Sequence, residues 1–249
     1  MAVKMFKGGK APGEDSIMSE LLKQGESTVM LCLKQLINKV WKEVTIPKPW
    51  QVSVLRPIYK KGGIMNCKNY RGISLLNISY KVLSNIILNR LKPYAKEVVG
   101  DYQTGFTAGK STTDQIHIIK QITEKSHEFD KDVYLLFVDF KQAYDSIIRS
   151  TLWNEMIQLG IPAKLVRMVK KCMVDSRCKV KFNSTISEEF TINTGVRQGD
   201  ALSSVLFNIA LESVIRRIMQ NKPQGLNIGQ EKQITLAAYA DDVVVIAET

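Results

Sequence analysis

Histidine is almost missing from this chain, with two residues in 249, and its four cysteines, at 32, 67, 172 and 178, share no CxxC spacing. That scarcity argues against a structural zinc site and leaves reduced, buried thiols of an intracellular protein as the expected state of the cysteines. No uninterrupted apolar stretch approaches the roughly 18 residues of a membrane span. The N-terminus, MAVKMFKGGKAPGEDS, lacks the apolar centre of a signal peptide. The expectation is a soluble protein of the nucleus or cytoplasm with no membrane partner. Internal repeats, low-complexity tracts and linkers are lacking, as is a regular strand–helix alternation, which points to a mixed α+β class. A P-loop is lacking too. Gly109, Lys110 and Ser111 give the GKS ending, but the first glycine would fall at Thr104, and Gly105 comes one position late.

What is present is an ordinary globular composition, 45% hydrophobic and 24% charged, with a formal charge of +11. The surplus is uneven. Residues 1–130 carry 20 Lys and Arg against 11 Asp and Glu, and residues 131–249 carry 15 against 13. A basic surface of that size attracts a polyanion, either nucleic acid or an anionic membrane surface, and nucleic acid is the preferred reading.

Apolar periodicity predicts two helices between Ile17 and Val44 with a break near Gly25, the first opened by Glu14, Asp15 and Ser16. A strand follows over 52–63, ending in a basic, glycine-bearing turn with Lys60, Lys61 and, further on, Arg71. Helices are expected from Ser74 to Tyr94, with Pro93 near the end, and from about Thr112. VYLLFVDF (133–140) reads as a buried strand with Asp139 at its exit. The segment KQAYDSIIRSTLWNEMIQLG reads as a turn and helix, with Asp145 placed at the helix start, and another helix covers Ala163 to about Met173. CKVKFN and EEFTIN are strand-like, GVRQGDALSS leads into a long helix, and PQGLNIGQEKQ is a turn-rich hairpin. Arg197 and Asp200 are positioned to pair across their own turn.

The closing run from Ile234 to Ala247 is interrupted by Asp241 and Asp242. Two carboxylates about 4 Å apart repel by about 4 kcal/mol at an effective dielectric near 20, which a divalent cation reverses. Asp139, 102 residues earlier, would join them if the two strands are sheet neighbours. Three carboxylates without histidine or cysteine suit Mg²⁺ or Mn²⁺, and a pair of such ions suits in-line displacement at phosphorus.

KGGKAPGEDS, LRPIYKKGG, NYRGISLLN, YQTGF, LLFVDFKQAYDS, GVRQGDALSSVLFN and YADD occur in this order, and the chain so read resembles the reverse transcriptases of non-LTR (LINE-like) retrotransposons. The resemblance implies a right-hand polymerase fold with a basic, fingers-like region over 1–130 and a palm over 131–249. It implies RNA-directed DNA synthesis from dNTPs on a DNA primer and RNA template, with two Mg²⁺ ions (Mn²⁺ as substitute). By position, Asp139, Asp241 and Asp242 become the catalytic carboxylates, with Phe140 completing the metal site through its backbone carbonyl. Tyr144 becomes a steric gate under the sugar, Gln198 packs on the nascent base pair, and Lys60 and Arg71 hold the triphosphate. Gly195, Gly199 and Lys110 face template and primer. Group II intron and telomerase enzymes share this active site, but the KAPGEDS and NYRGISLLN wording fits the LINE-like branch better.

The chain departs from the pattern in places. Thr107 and Ala108 remove an arginine, Lys110 replaces another, and Ala201 and Ser204 stand for two prolines, which is expected to loosen the template-facing loop. The chain also stops seven residues after the aspartate pair, so the palm is expected to be incomplete and the thumb missing. Weak processive synthesis follows, and the alternative reading is a catalytically silent, retroelement-derived nucleic-acid-binding protein.

Overall fold

The computed structural model describes Val3 and residues 6–221, 223–229 and 233–248. In chain order its elements are α1 (Ser19–Gln24), α2 (Ser27–Glu43), β1 (Val52–Tyr59), β2 (Tyr70–Leu75), α3 (Ile78–Val98), α4 (Thr112–Glu128) and β3 (Tyr134–Val138). There follow α5 (Arg149–Gln158), α6 (Ala163–Met173), β4 (Arg177–Phe182), β5 (Thr185–Ile186), β6 (Phe190–Thr191) and α7 (Ser203–Gln220). The last elements are β7 (Leu226–Asn227), β8 (Gln233–Ile234), β9 (Leu236–Tyr239) and β10 (Asp242–Ala247). They gather into two compact units, Met1–Tyr94 with Tyr144–Ser203, and Ala95–Ala143 with Ser204–Thr249. Each unit is assembled from two separate pieces of chain.

In the first unit the helices bury one stripe each. Leu33, Ile37 and Val40 of α2, and Leu83, Ile87 and Leu91 of α3, lie at three- or four-residue spacing and are buried. Trp41 of α2 meets the Arg90 guanidinium at 3.8 Å and the Lys164 ammonium at 5.3 Å from its ring centre, which ties α2 to α3 and α6. α3 continues past Pro93 to Val98, although the ring removes one backbone donor. α1 begins later than the acidic pair suggested. Ser16 takes a left-handed φ of 56°, and the Asp15 carboxylate accepts from the Ile17 amide at 3.2 Å, so this segment closes a turn ahead of the helix.

The sheet of this unit runs β2-β1-β4-β5, with β6 also on β4. β1 and β2 are an antiparallel hairpin registered from Val54↔Leu75 to Tyr59↔Tyr70, and β1 lies parallel to β4. α5 starts at Arg149, later than expected, because residues 141–146 form successive turns. Asp145 therefore lies four residues before the helix and does not cap it. Cys172 and Cys178 are buried, and burial pushes the Cys172 thiol up to about 12. Cys32 and Cys67 are exposed, against the expectation of four buried thiols: Cys32 lies off the Leu33–Ile37–Val40 stripe of α2, and Cys67 lies in the connection between β1 and β2.

In the second unit β3-β10-β9 form a three-stranded sheet and β7-β8 a small hairpin; residues 230–232 of the expected turn lie outside the described residues. Ile122, Leu226, Ala237 and Ile246 make its core, with Ile119, Leu135 and Val244 packed on them. β3 is not the buried strand its composition suggested. It is an edge strand, and Tyr134, Leu136 and Phe137 are 60 to 68% exposed. Among the described residues no helix is long and apolar enough to cross a membrane.

Candidate active site

Tyr239 pairs with Asp242, so β9 and β10 are joined by the two-residue loop Ala240-Asp241. Of these two only Ala240 has a positive φ, 56°, the pattern of a type II′ turn, in which the first central residue carries the left-handed geometry. Glycine is the usual occupant, so an alanine there costs roughly 1 kcal/mol that the surroundings must offset. β3 runs antiparallel to β10 with Val138 opposite Val243. One step further along that register, Asp139 leaves the sheet beside Asp242. The neighbouring strands expected from sequence are thus present, and they bring three carboxylate-bearing backbones to one end of one sheet.

Their side chains do not close into a cluster. Among the described residues no three His, Cys, Asp or Glu side chains are gathered closely enough to hold a metal ion. None of the three is engaged in an ion pair among the described residues. Asp139 and Asp242 are exposed, and Asp241 is half-buried. Oxygen donors with no cation beside them fit a hard divalent ion and no softer one. Phe140 follows Asp139 and sets its ring edge-on to Phe207 of α7, 6.3 Å between centres at 83°.

A segment to which sequence reasoning gave no role holds this turn. Residues 102–104 run along the outer edge of β9, where the Ala238 amide donates to Tyr102 O at 2.9 Å and the Thr104 amide donates to Ala238 O at 2.9 Å. Buried Gln103 reaches the loop itself. Its Oε1 accepts from the amides of Ala240 (2.7 Å) and Gly105 (2.8 Å), and its Nε2 donates to Ala240 O at 3.0 Å. Glu212 of α7 anchors the segment by accepting from the Gly100 amide at 3.0 Å and the Tyr102 hydroxyl at 2.5 Å. Gly105 lies so close that a Cβ on it would stand 2.1 Å from the Ala240 nitrogen. Gly105→Ala must therefore displace the aspartate turn. It is expected to cost about 3 kcal/mol and to lower the melting temperature by roughly 6–12 °C in a thermal unfolding scan.

The first unit collects the remaining expected residues except Lys110. Lys60 and Arg71 stand at the turn end of the β1–β2 hairpin. Both are exposed, with Arg71 opposite Ile58 and the Lys60 amide donating to Asn69 O at 2.9 Å. Lys61 is likewise exposed. Tyr144, half-buried, sits in the turns after Asp139, and its carbonyl accepts from the Val196 amide at 2.8 Å. Gly195 has a φ of 71°, and a Cβ there would meet Asp145 Cα at 2.7 Å, so only glycine lets the two turns touch. Partial burial raises the Asp145 carboxyl above its ordinary range while the Lys60 charge opposes that rise. Gln198 accepts through its carbonyl from the Ser74 amide at 2.7 Å, which seats it and Gly199 against β2. Lys60, Tyr144, Gly195, Gln198 and Gly199 thus belong to one connected set. Lys110 is in the second unit, exposed, two residues ahead of α4.

Two buried arginines fix the Gly195–Gly199 turn. Arg149, which the sequence reading passed over, donates to four carbonyls, those of Gly195 (2.8 Å), Met173 (2.6 Å), Ile192 (2.9 Å) and Thr194 (3.2 Å). Burial, with the Arg197 charge second, pushes its guanidinium down to about 10. Arg197 does not grip Asp200 directly, as expected, but through Tyr80. The Tyr80 hydroxyl donates to Asp200 and accepts from Arg197 at 3.3 Å, and Arg197 also donates to Cys172 O.

The family model described as reverse transcriptase (RNA-dependent DNA polymerase) matches residues 58–249. The uncharacterized 149 kDa protein of transposon TX1 from Xenopus laevis is 25% identical over 99% of this chain and 19% of its own length. The probable RNA-directed DNA polymerase from transposon BS of Drosophila melanogaster is 28% identical over 98% of this chain and 27% of its own length. The chain thus spans about a fifth to a quarter of these relatives. Among solved structures, apo telomerase from Candida tropicalis superposes with a TM-score of 0.59 at 13% identity, covering 90% of this chain and 44% of that one, a likeness of fold. The chain belongs to the reverse transcriptase (RNA-dependent DNA polymerase) family, and the curated proteins it is similar to come from transposons and mobile elements.

Proposed function

We propose that this chain carries the nucleotidyl-transfer core of an RNA-directed DNA polymerase, extending a DNA primer on an RNA template from dNTPs. The observation that carries this reading is the β3–β10 register, which sets Asp139 beside the Asp241-Asp242 turn. Within a right-hand polymerase fold, residues 1–130 are read as the fingers-like region and 131–249 as palm. Asp139, Asp241 and Asp242, with the Phe140 carbonyl, are the groups that would hold two Mg²⁺ or Mn²⁺ ions. Bound there, divalent ions would supply positive charge at the attacking 3′-hydroxyl and at the leaving pyrophosphate.

The other roles follow from side-chain chemistry. Lys60 offers a point charge and Arg71 a bidentate fork for phosphate oxygens. The Tyr144 ring would clash with a 2′-hydroxyl, and Gln198 would pack on the new base pair, on a turn whose glycines permit close approach. Gly195, Gly199 and Lys110 are assigned to template and primer. A +11 chain binds a polyphosphate backbone with marked salt dependence.

The test is primer extension on an RNA template with Mg²⁺ and dNTPs. Incorporation is expected, and Tyr144→Ala should relax discrimination against ribonucleotides by roughly tenfold to a hundredfold. Salt-sensitive RNA binding without incorporation would favour the second reading, a catalytically silent binding protein. That reading draws support from Thr107 and Ala108 in place of an arginine.

A further inference from the structure

We propose that Gln103 is a positioning residue for Asp241, its side-chain amide setting the height and twist of the Ala240-Asp241 turn so that the carboxylate is presented for a divalent cation. The proposal rests on the metal-binding reading above and extends it to a residue that touches no metal.

A strained two-residue loop has no reason to hold one conformation unless something outside the hairpin determines it. Ala240, at a φ of 56°, is such a residue, and it is 5% exposed. A single side chain engages both polar groups of its backbone. Gln103 Oε1 takes the Ala240 amide at 2.7 Å, and Gln103 Nε2 gives to the Ala240 carbonyl at 3.0 Å. That carbonyl belongs to the peptide whose nitrogen is Asp241's own, so rotating the clamp rotates the aspartate.

The clamp is itself fixed. Oε1 is shared with the Gly105 amide at 2.8 Å, and the Gly105 carbonyl accepts from Asn208 of α7 at 2.9 Å. Gln103 is 4% exposed. Its backbone bridges to Ala238 beside β9, and Gln115 of α4 steadies the flanking residues by donating to Tyr102 O at 3.2 Å and Thr104 Oγ1 at 3.0 Å. An amide is the side chain with a donor and an acceptor placed to meet one residue's own N–H and C=O. Methionine has the length without the polar atoms, and asparagine has the polar atoms one methylene short.

The experiment compares the chain with Gln103→Met, Gln103→Asn and, as a control, Thr104→Val. The control removes the neighbouring side-chain bonds to Ala238 and Gln115 and leaves the clamp intact. Two quantities are read, hydrogen exchange at the Ala240 amide and Mn²⁺ affinity from the paramagnetic resonance signal of free Mn²⁺. In Gln103→Met, exchange at Ala240 is expected to rise by roughly a hundredfold and Mn²⁺ affinity to fall by roughly tenfold. Thr104→Val is expected to leave both within about twofold. If Gln103→Met does not fold cooperatively, Gln103→Asn carries the same comparison with a smaller volume change. Equal losses in the Gln103 variants and in Thr104→Val would reduce Gln103 to a general stabiliser and overturn the proposal. Unchanged exchange at Ala240 would overturn the clamp itself. Mn²⁺ affinity equal in the parent chain and in Asp241→Asn would instead overturn the metal-binding reading, with the exchange result still reporting on the clamp.

Discussion

An Asp241→Asn variant is expected to keep the fold and lose divalent-ion-dependent incorporation by on the order of a thousandfold or more. The two halves of that expectation have separate causes. Asp241 is the second residue of a two-residue loop, and its carboxylate makes no ion pair among the described residues. An amide of the same shape therefore disturbs nothing in the folded chain, and the stability change should stay within about 0.5 kcal/mol. The lost charge, in contrast, is the one that a hard cation would need, since an amide oxygen is a poorer donor to Mg²⁺ than a carboxylate. Single-nucleotide incorporation and Mn²⁺ binding should fall together while thermal unfolding is unmoved. Undiminished incorporation would remove Asp241 from the reaction.

The largest expected loss of stability belongs to Arg197→Met, about 3–5 kcal/mol in urea unfolding. Arg197 is 4% exposed and Asp200 6% exposed. Asp200 keeps its bonds from Tyr80 and from the Leu202 amide at 3.2 Å, but without the guanidinium only the partly buried Lys81 ammonium is left to offset its charge. Two guanidinium nitrogens, Nε and Nη1, lack a hydrogen-bond partner among the described residues, a cost that the native network already bears and that places the loss toward the lower end of the range. The double variant Arg197→Met, Asp200→Leu should recover part of the loss, because it removes the stranded carboxylate along with its partner. A double variant no more stable than Arg197→Met would show that charge compensation is not what this arginine contributes. Gln198 lies inside the affected turn, so, on its proposed role at the nascent base pair, nucleotide KM should rise more than kcat falls.

Periodicity made most helices legible. α2, α4 and α6 fall where their apolar spacing put them, because an amphipathic stripe carries its own register. Apolar content alone misled at β3, since a run of Leu, Phe and Val looks the same on a sheet edge as in its centre and only strand order separates the two. The start of α5 was misplaced because KQAYDS has acceptable helix formers, whereas the backbone there is bent by tertiary bonds from Gly195 and Val196 to Ile147 and Tyr144. The carboxylates could be found as an anomaly in an apolar run. Gln103 falls within the YQTGF motif, but its role could not be read there, because both groups it clamps lie 137 residues away and belong to the backbone.

β10 is the shared member of its sheet, paired on one side with the strand that leads to Asp139 and on the other with the strand that leads to the Asp241 turn. The three acidic positions are therefore a single mechanical object whose geometry is set by one alignment. Sliding β10 by one residue along β3 would set Asp139 against Val243 and exchange the two faces of the strand at once, carrying Ile246 out of the core. No partial version of that error exists. Damage to this sheet should accordingly divide molecules into those with an intact acidic centre and those with none, and a population of weakened variants would read as a reduced active fraction and not as a uniformly slower enzyme.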